Sequence, residues 1–121
     1  MSYILLKNGI QPWICLIKIE QGDVFKVDLG YNGRIRFMVV VSRTDQDPPR
    51  ALVLCAPITT KFRGSEYEIE LGRPRYLRET SYVNLQGIVA VQWADLIEHV
   101  GRIESTKLEK VKRGIRDTFD T

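Results

Sequence analysis

The sequence predicts a mainly β domain, a small curled antiparallel sheet or barrel closed on one side by a C-terminal amphipathic helix. Three observations carry that expectation. Between Ile17 and Val91, short apolar or alternating runs follow one another, separated by turns rich in Gly, Asn and Pro. Near the end the period changes: Leu108, Val111, Ile115 and Phe119 fall at i, i+3, i+7 and i+11, one helical stripe. A chain of 121 residues, 44% hydrophobic and 27% charged, suits one compact domain with its own core.

Residues 1–16 have no regular pattern and read as an N-terminal extension of unknown role, ahead of one domain over 17–121. In "IKIEQGDVFKVDL" apolar and polar positions then alternate, predicting a strand over 22–29. "GYNG" at 30–33 predicts a tight hairpin turn. "RIRFMVVVSR", 34–43, is apolar on both faces at its middle, as a central strand should be. Asp47 and two prolines make "TDQDPPR" a loop. "ALVLCAPIT" is a third, almost wholly apolar strand. "EYEIEL" alternates strictly, with Glu66, Glu68 and Glu70 on a wet face and Tyr67, Ile69 and Leu71 behind it.

After the loop "GRPRYLRETS", "SYVNLQGIVAV" predicts a fifth strand over 81–91, with Gly87 as a bulge or a point of close approach. "WADLIEHVG" suggests a short helix or turn near 93–98. "STKLEKVKRGIRDTF" is the terminal helix. Thr106 and Glu109 have capping-box spacing, with Ser105 as a competing N-cap.

Composition removes several classes of function. No run approaches the ~20 apolar residues of a membrane helix. The opening segment is interrupted by Lys7, Asn8, Gly9 and Pro12, so it makes a poor signal peptide. Two cysteines, Cys15 and Cys55, give no disulfide framework and point to a reducing cytoplasm. The single histidine, His99, reads as structural; its being alone excludes a His-dependent triad or a two-histidine nuclease. Without clustered Cys, His or carboxylates, no metal or other cofactor is expected. No phosphate-binding Gly-rich motif is present.

The net charge of +3 and pI of about 9.0 permit nucleic acid without demanding it. Placement says more. Arg34, Arg36, Arg43, Lys61, Arg63, Arg73, Arg75 and Arg78 lie in or beside turns of the central region. They are either solvated loop charges or one cationic groove for a phosphate backbone. The cations of the terminal helix read as its solvated face. A polar ring also sits at strand ends: Arg36 starts one apolar strand, Thr59 and Thr60 end another, and Ser81, Asn84 and Gln86 punctuate a third. Alone, Thr59 also reads as a strand-end residue bonded to its own backbone.

The order of "IEQGDVFKVDL", "RIRFMVVVSR", "VLCAPITT", "SYVNLQGIVAV" and "HVGRIESTKLEKV" resembles the PemK/MazF family of toxin–antitoxin growth inhibitors over about residues 17–119. The resemblance implies an SH3-like barrel, a homodimer, a cognate antitoxin protein, and a metal-independent ribonuclease that cuts single-stranded RNA at short sequences. It assigns the family's catalytic arginine to Arg36 and its catalytic threonine to Thr59. Arg34, Thr60, Lys61, Arg63, Ser81, Asn84 and Gln86 are then expected to bind substrate, with Tyr31, Phe37 or Phe62 stacking a base. Phe37 replaces a usual proline, the 30–33 loop is short, Gln86-Gly87 stands where an acidic-Gln pair is often found, and Asn84 stands where one branch has an arginine. The general base is thus unassigned. A second reading keeps the fold but not the nuclease: a topoisomerase-poison type of binding protein, or a relative that only binds RNA or antitoxin.

Overall fold

The computed structural model describes residues 2–4, 17–30, 34–45 and 47–120. Strands β1 (Ser2–Ile4) and β2 (Ile17–Ile19) pair antiparallel as a two-stranded sheet. The main sheet comprises β3 (Asp23–Asp28), β4 (Ile35–Val40), β5 (Leu52–Thr59), β6 (Glu68–Gly72), β7 (Ser81–Asn84), β8 (Val89–Gln92) and β9 (Leu96–Arg102). Helix α1 (Ser105–Phe119) follows. All pairings are antiparallel, in the order β6-β7-β5-β4-β3-β9, with β8 added to β5. Strands β6 and β9, at the two ends of this path, are not paired with each other, so the curl stops short of a closed barrel.

Strand β5 is the hub. Leu52–Cys55 pair with β8, Cys55–Pro57 with β4, and Ile58–Thr59 with β7. Its alternating side chains fill two cores. Ala56 and Ile58 join Val24, Val39, Val83 and Val111 on the helix side; Val53 and Cys55 join Phe25, Val27, Met38 and Val40 on the other. That is why the middles of β4 and β5 are apolar at consecutive positions. Burial pushes the Cys55 thiol up to about 12.

The Gly-Asp step before β3 is a structural device. Gly22 takes φ +94°, open mainly to glycine, and its N–H donates to the Val40 carbonyl at 2.8 Å. Asp23 is buried, and its carboxylate accepts from the Glu20 N–H at 2.8 Å and from Arg102 Nη1 at 2.8 Å. His99 Nε2 lies 3.2 Å from the same carboxylate, and its ring meets Phe25 edge-on at 5.2 Å. The lone histidine is therefore a structural residue fastening β9 to β3.

Several boundaries differ from those the sequence suggested. The single strand over 81–91 is two strands, β7 and β8, separated by a 3-10 turn at Leu85–Gly87. Asn84 Oδ1 accepts from the Gln86 N–H at 3.1 Å and breaks the ladder. Gly87 then passes so close to Pro57 that a Cβ there would lie 2.6 Å from the ring. The helix or turn suggested near 93–98 reduces to a 3-10 turn at Trp93–Asp95; Leu96 already begins β9, which pairs with β3. Glu66 and Tyr67 form a turn ahead of β6 rather than its first residues.

Helix α1 begins at Ser105 behind Glu104, without a side-chain cap, so neither Ser105 nor Thr106 is the N-cap. Of its stripe, Val111 is buried but Phe119 is exposed. The hairpin expected around "GYNG" closes β3 onto β4, with the Leu29 N–H donating to the Arg34 carbonyl at 3.0 Å. Tyr31–Gly33, and residues 5–16 of the extension with Cys15, lie outside the described residues.

Candidate active site

The β4–β5 register pairs Met38 with Pro57, Val39 with Ala56 and Val40 with Cys55. Arg36 and Thr59 each stand two residues beyond the last of these pairs. Both side chains line one cleft of about 260 Å³ at the strand ends. Lys61, Arg63 and Ser65 enter from the loop after β5, Glu68 from β6, and Asn84 and Gln86 from the end of β7 and the turn after it.

Local chemistry fixes what each group has left to offer. Thr59 Oγ1 accepts from the Lys61 N–H at 3.1 Å, so the strand-end reading holds together with membership of the cleft. With that acceptor position used, the hydroxyl proton remains free to donate. Asn84 spends Oδ1 on the Gln86 N–H, which leaves its NH₂ group as a donor. Arg36 is half-buried and has no ion pair or hydrogen bond among the described residues, so its guanidinium is unspent.

Glu68 is the cleft residue the sequence misassigned to a merely wet face. Its carboxylate accepts from the Arg63 N–H at 3.0 Å, the Ser65 N–H at 2.9 Å and the Ser65 hydroxyl at 2.9 Å. The backbone N–H groups of Ser65 and Arg63, above all, hold this carboxyl below the usual carboxylate range. Glu68 thereby shapes the loop that carries Lys61 and Arg63, with its oxygens occupied. A signal was present: Ser65 and Glu68 have the Ser-x-x-Glu spacing of a reciprocal capping box.

Three expected substrate residues do not share this cleft. Arg34 is exposed at the hairpin and lies outside its lining. Thr60 and Ser81 line a neighbouring cavity of about 230 Å³ with Phe37 and Tyr76, which meets the cleft at Thr59. Ser81 is buried and its hydroxyl donates to the Glu79 carbonyl at 2.8 Å, so it is occupied in the fold. Phe37 packs against the helix-side core. Among the described residues no group of three His, Cys, Asp or Glu is arranged to hold a metal ion, and no helix is long and apolar enough to cross a membrane.

Residues 20–119 match the family described as PemK-like, MazF-like toxin of type II toxin–antitoxin system. A curated relative, Probable endoribonuclease MazF5 of Mycobacterium tuberculosis (strain ATCC 25618 / H37Rv), is 30% identical over 102 residues, which cover 83% of this chain and 92% of that protein. Among solved structures, an endoribonuclease in complex with its cognate antitoxin from a mycobacterial species superposes with a TM-score of 0.74 at 22% identity, over 84% of this chain and 95% of that one. MazF (Form-I) from Deinococcus radiodurans gives 0.71 at 15% identity, over 87% and 99%. At these identities the solved structures establish the fold.

Proposed function

The chain belongs to the PemK-like, MazF-like toxin family of type II toxin–antitoxin systems, and from that premise we propose that it is a metal-independent endoribonuclease acting on single-stranded RNA in the cytoplasm. It works as a homodimer and is held inactive by a cognate antitoxin. The observation that carries the nuclease reading is the meeting of an unspent Arg36 with the Thr59 hydroxyl in one cationic cleft.

The reaction follows from the donors available. The RNA 2′-hydroxyl attacks its own phosphorus, the bond to the 5′-oxygen breaks, and a 2′,3′-cyclic phosphate and a free 5′-hydroxyl result. One proton leaves the 2′-oxygen and one reaches the 5′-oxygen, so charge balances. In between, negative charge gathers on the non-bridging oxygens. Arg36 offers two parallel N–H donors to them, and Thr59 donates its free proton. A donor aimed at developing charge contributes about 3–4 kcal/mol. Lys61 and Arg63 hold the flanking backbone. Glu68 is a poor base because its oxygens are bonded and its proton affinity is lowered. The 2′ proton therefore passes to water, and water supplies the proton that the departing 5′-oxygen takes up.

The test is incubation of the purified protein with long single-stranded RNA in EDTA, beside Arg36→Ala and Thr59→Ala. Cleavage that survives chelation, ends in cyclic phosphate and disappears in both variants is expected. Growth arrest without cleavage of any RNA would overturn the nuclease reading in favour of a binding protein on the same fold.

A further inference from the structure

Phe62 is 57% exposed, a large apolar ring on the surface beside the cleft. It does not lie loose. Its ring stacks on Tyr82 with centroids 4.6 Å apart and planes 18° from parallel. The backbone of Tyr82 is held in the sheet, where it pairs with Thr59 in the β5–β7 register. The chain neighbours of Phe62 are Lys61 and Arg63, and both line the cleft. The segment Lys61-Phe62-Arg63 thus presents two cations to the cleft and one aromatic ring beside it. One face of that ring is covered by Tyr82, and the ring's exposure leaves surface on its other side.

We infer that the Phe62–Tyr82 pair is a stacking platform for one unpaired base of the RNA strand, next to the phosphate held at Arg36 and Thr59. This rests on the ribonuclease reading above for the identity of the strand. The physical basis is direct. A single strand has unstacked bases, each with an apolar π-face that loses water against an aromatic ring. Lys61 and Arg63, its chain neighbours, neutralise the backbone to which that base is attached from the adjoining cleft. Tyr82 keeps Phe62 in a fixed pose, which reduces the entropy lost when the base docks. Stacking accepts any base, so the platform supplies affinity and position rather than sequence choice.

The experiment measures binding of a short single-stranded RNA carrying a 2′-deoxy nucleotide at the cut position, so that it binds without being cleaved. Wild type, Phe62→Ala, Phe62→Trp and Lys61→Ala are compared at several salt concentrations. Phe62→Ala should weaken binding about 5- to 160-fold with an unchanged salt slope. Phe62→Trp should retain wild-type affinity or exceed it. Lys61→Ala should flatten the slope by about 0.7.

A Phe62→Ala protein that binds within twofold of wild type, or a Phe62→Trp protein as weak as the alanine variant, overturns the platform. All-ribose RNA separates the two readings. Wild type that binds by this pattern but never cleaves leaves the platform standing and removes the nuclease. Cleavage with no dependence on Phe62 does the reverse. Wild type that binds no single-stranded RNA overturns both.

Discussion

Arg36 and Thr59 line one cleft from adjacent antiparallel strands, each two residues beyond Met38–Pro57, the last pair of the β4–β5 register. Neither side chain is needed to fill the core, and both line the same cleft. Replacing either should therefore remove chemistry and leave folding intact. Arg36→Ala and Thr59→Ala are each expected to lower the cleavage rate about 10²- to 10³-fold, with melting temperature within a few degrees of wild type. Thr59→Ser, which keeps the hydroxyl, should recover most of the loss. The measurement is single-turnover cleavage of one RNA beside thermal unfolding.

Glu68 links the loop's shape to pH. Its carboxyl is held below the usual carboxylate range by hydrogen bonds made in the folded protein. A depressed acid stabilises the folded form above its ordinary value, and that contribution fades as pH falls through the lowered one. The Arg63–Ser65 segment should accordingly become mobile under acid conditions while the sheet persists. Glu68→Gln should produce the same mobility at neutral pH. Backbone NMR of residues 61–67 across a pH series, in both proteins, checks this.

Gly87 lies against the Pro57 ring, two residues before Thr59. A Cβ at position 87 would lie 2.6 Å and 2.9 Å from two ring carbons, atoms that cannot swing aside. Gly87→Ala should cost about 1–3 kcal/mol by overpacking. Because the strain falls on Pro57, cleavage should fall further than stability alone accounts for. Chemical denaturation and cleavage rates compared on the same preparation give the answer.

Asp23 accepts from Arg102 and from the Glu20 N–H while buried. Asp23→Ala takes the acceptor from the Glu20 N–H, while Arg102, half-exposed, keeps Glu20 and the Gln21 carbonyl. The change should destabilise the protein by about 1–2 kcal/mol. The cleft is built without Asp23, so activity measured well below the melting temperature should persist. Urea unfolding and a cleavage assay separate the two effects.

Cys55 should be inert. It is fully buried, and its thiol is pushed up to about 12, so little thiolate exists near neutrality. Iodoacetamide should leave position 55 unmodified in native protein and alkylate it in urea, as read by peptide mass mapping.

The sequence made the cores of β4 and β5 legible because consecutive apolar residues have few other homes. That Arg36 and Thr59 stand at the ends of such strands was legible as well, but Thr59 alone read as an ordinary strand end, and only the order of the segments, which resembles the PemK/MazF family, joined the two. Glu68 was not. Strict alternation in "EYEIEL" accounts for it as a surface residue, and its real work depends on a loop that folds back onto it. The break at 85–87 was equally hidden. Periodicity cannot report that Asn84 turns its side chain to its own backbone, or that Pro57 occupies the space beside Gly87. The strand from Leu96 to Arg102 was obscured by Gly101 and by the polar residues that an edge strand tolerates.

Strand β5 has three neighbours and ends at Thr59. A strand so tethered cannot shift along its length without opening two cores, so the threonine at its end is carried by a firmly held element. This limits how the protein can be silenced. An inhibitor that tries to bend the site open must work against the stability of the whole domain. One that simply sits in the cleft has no such opposition. Neutralisation should therefore act by steric exclusion, leave the backbone at Thr59 where it was, and reverse as soon as the occupant is removed.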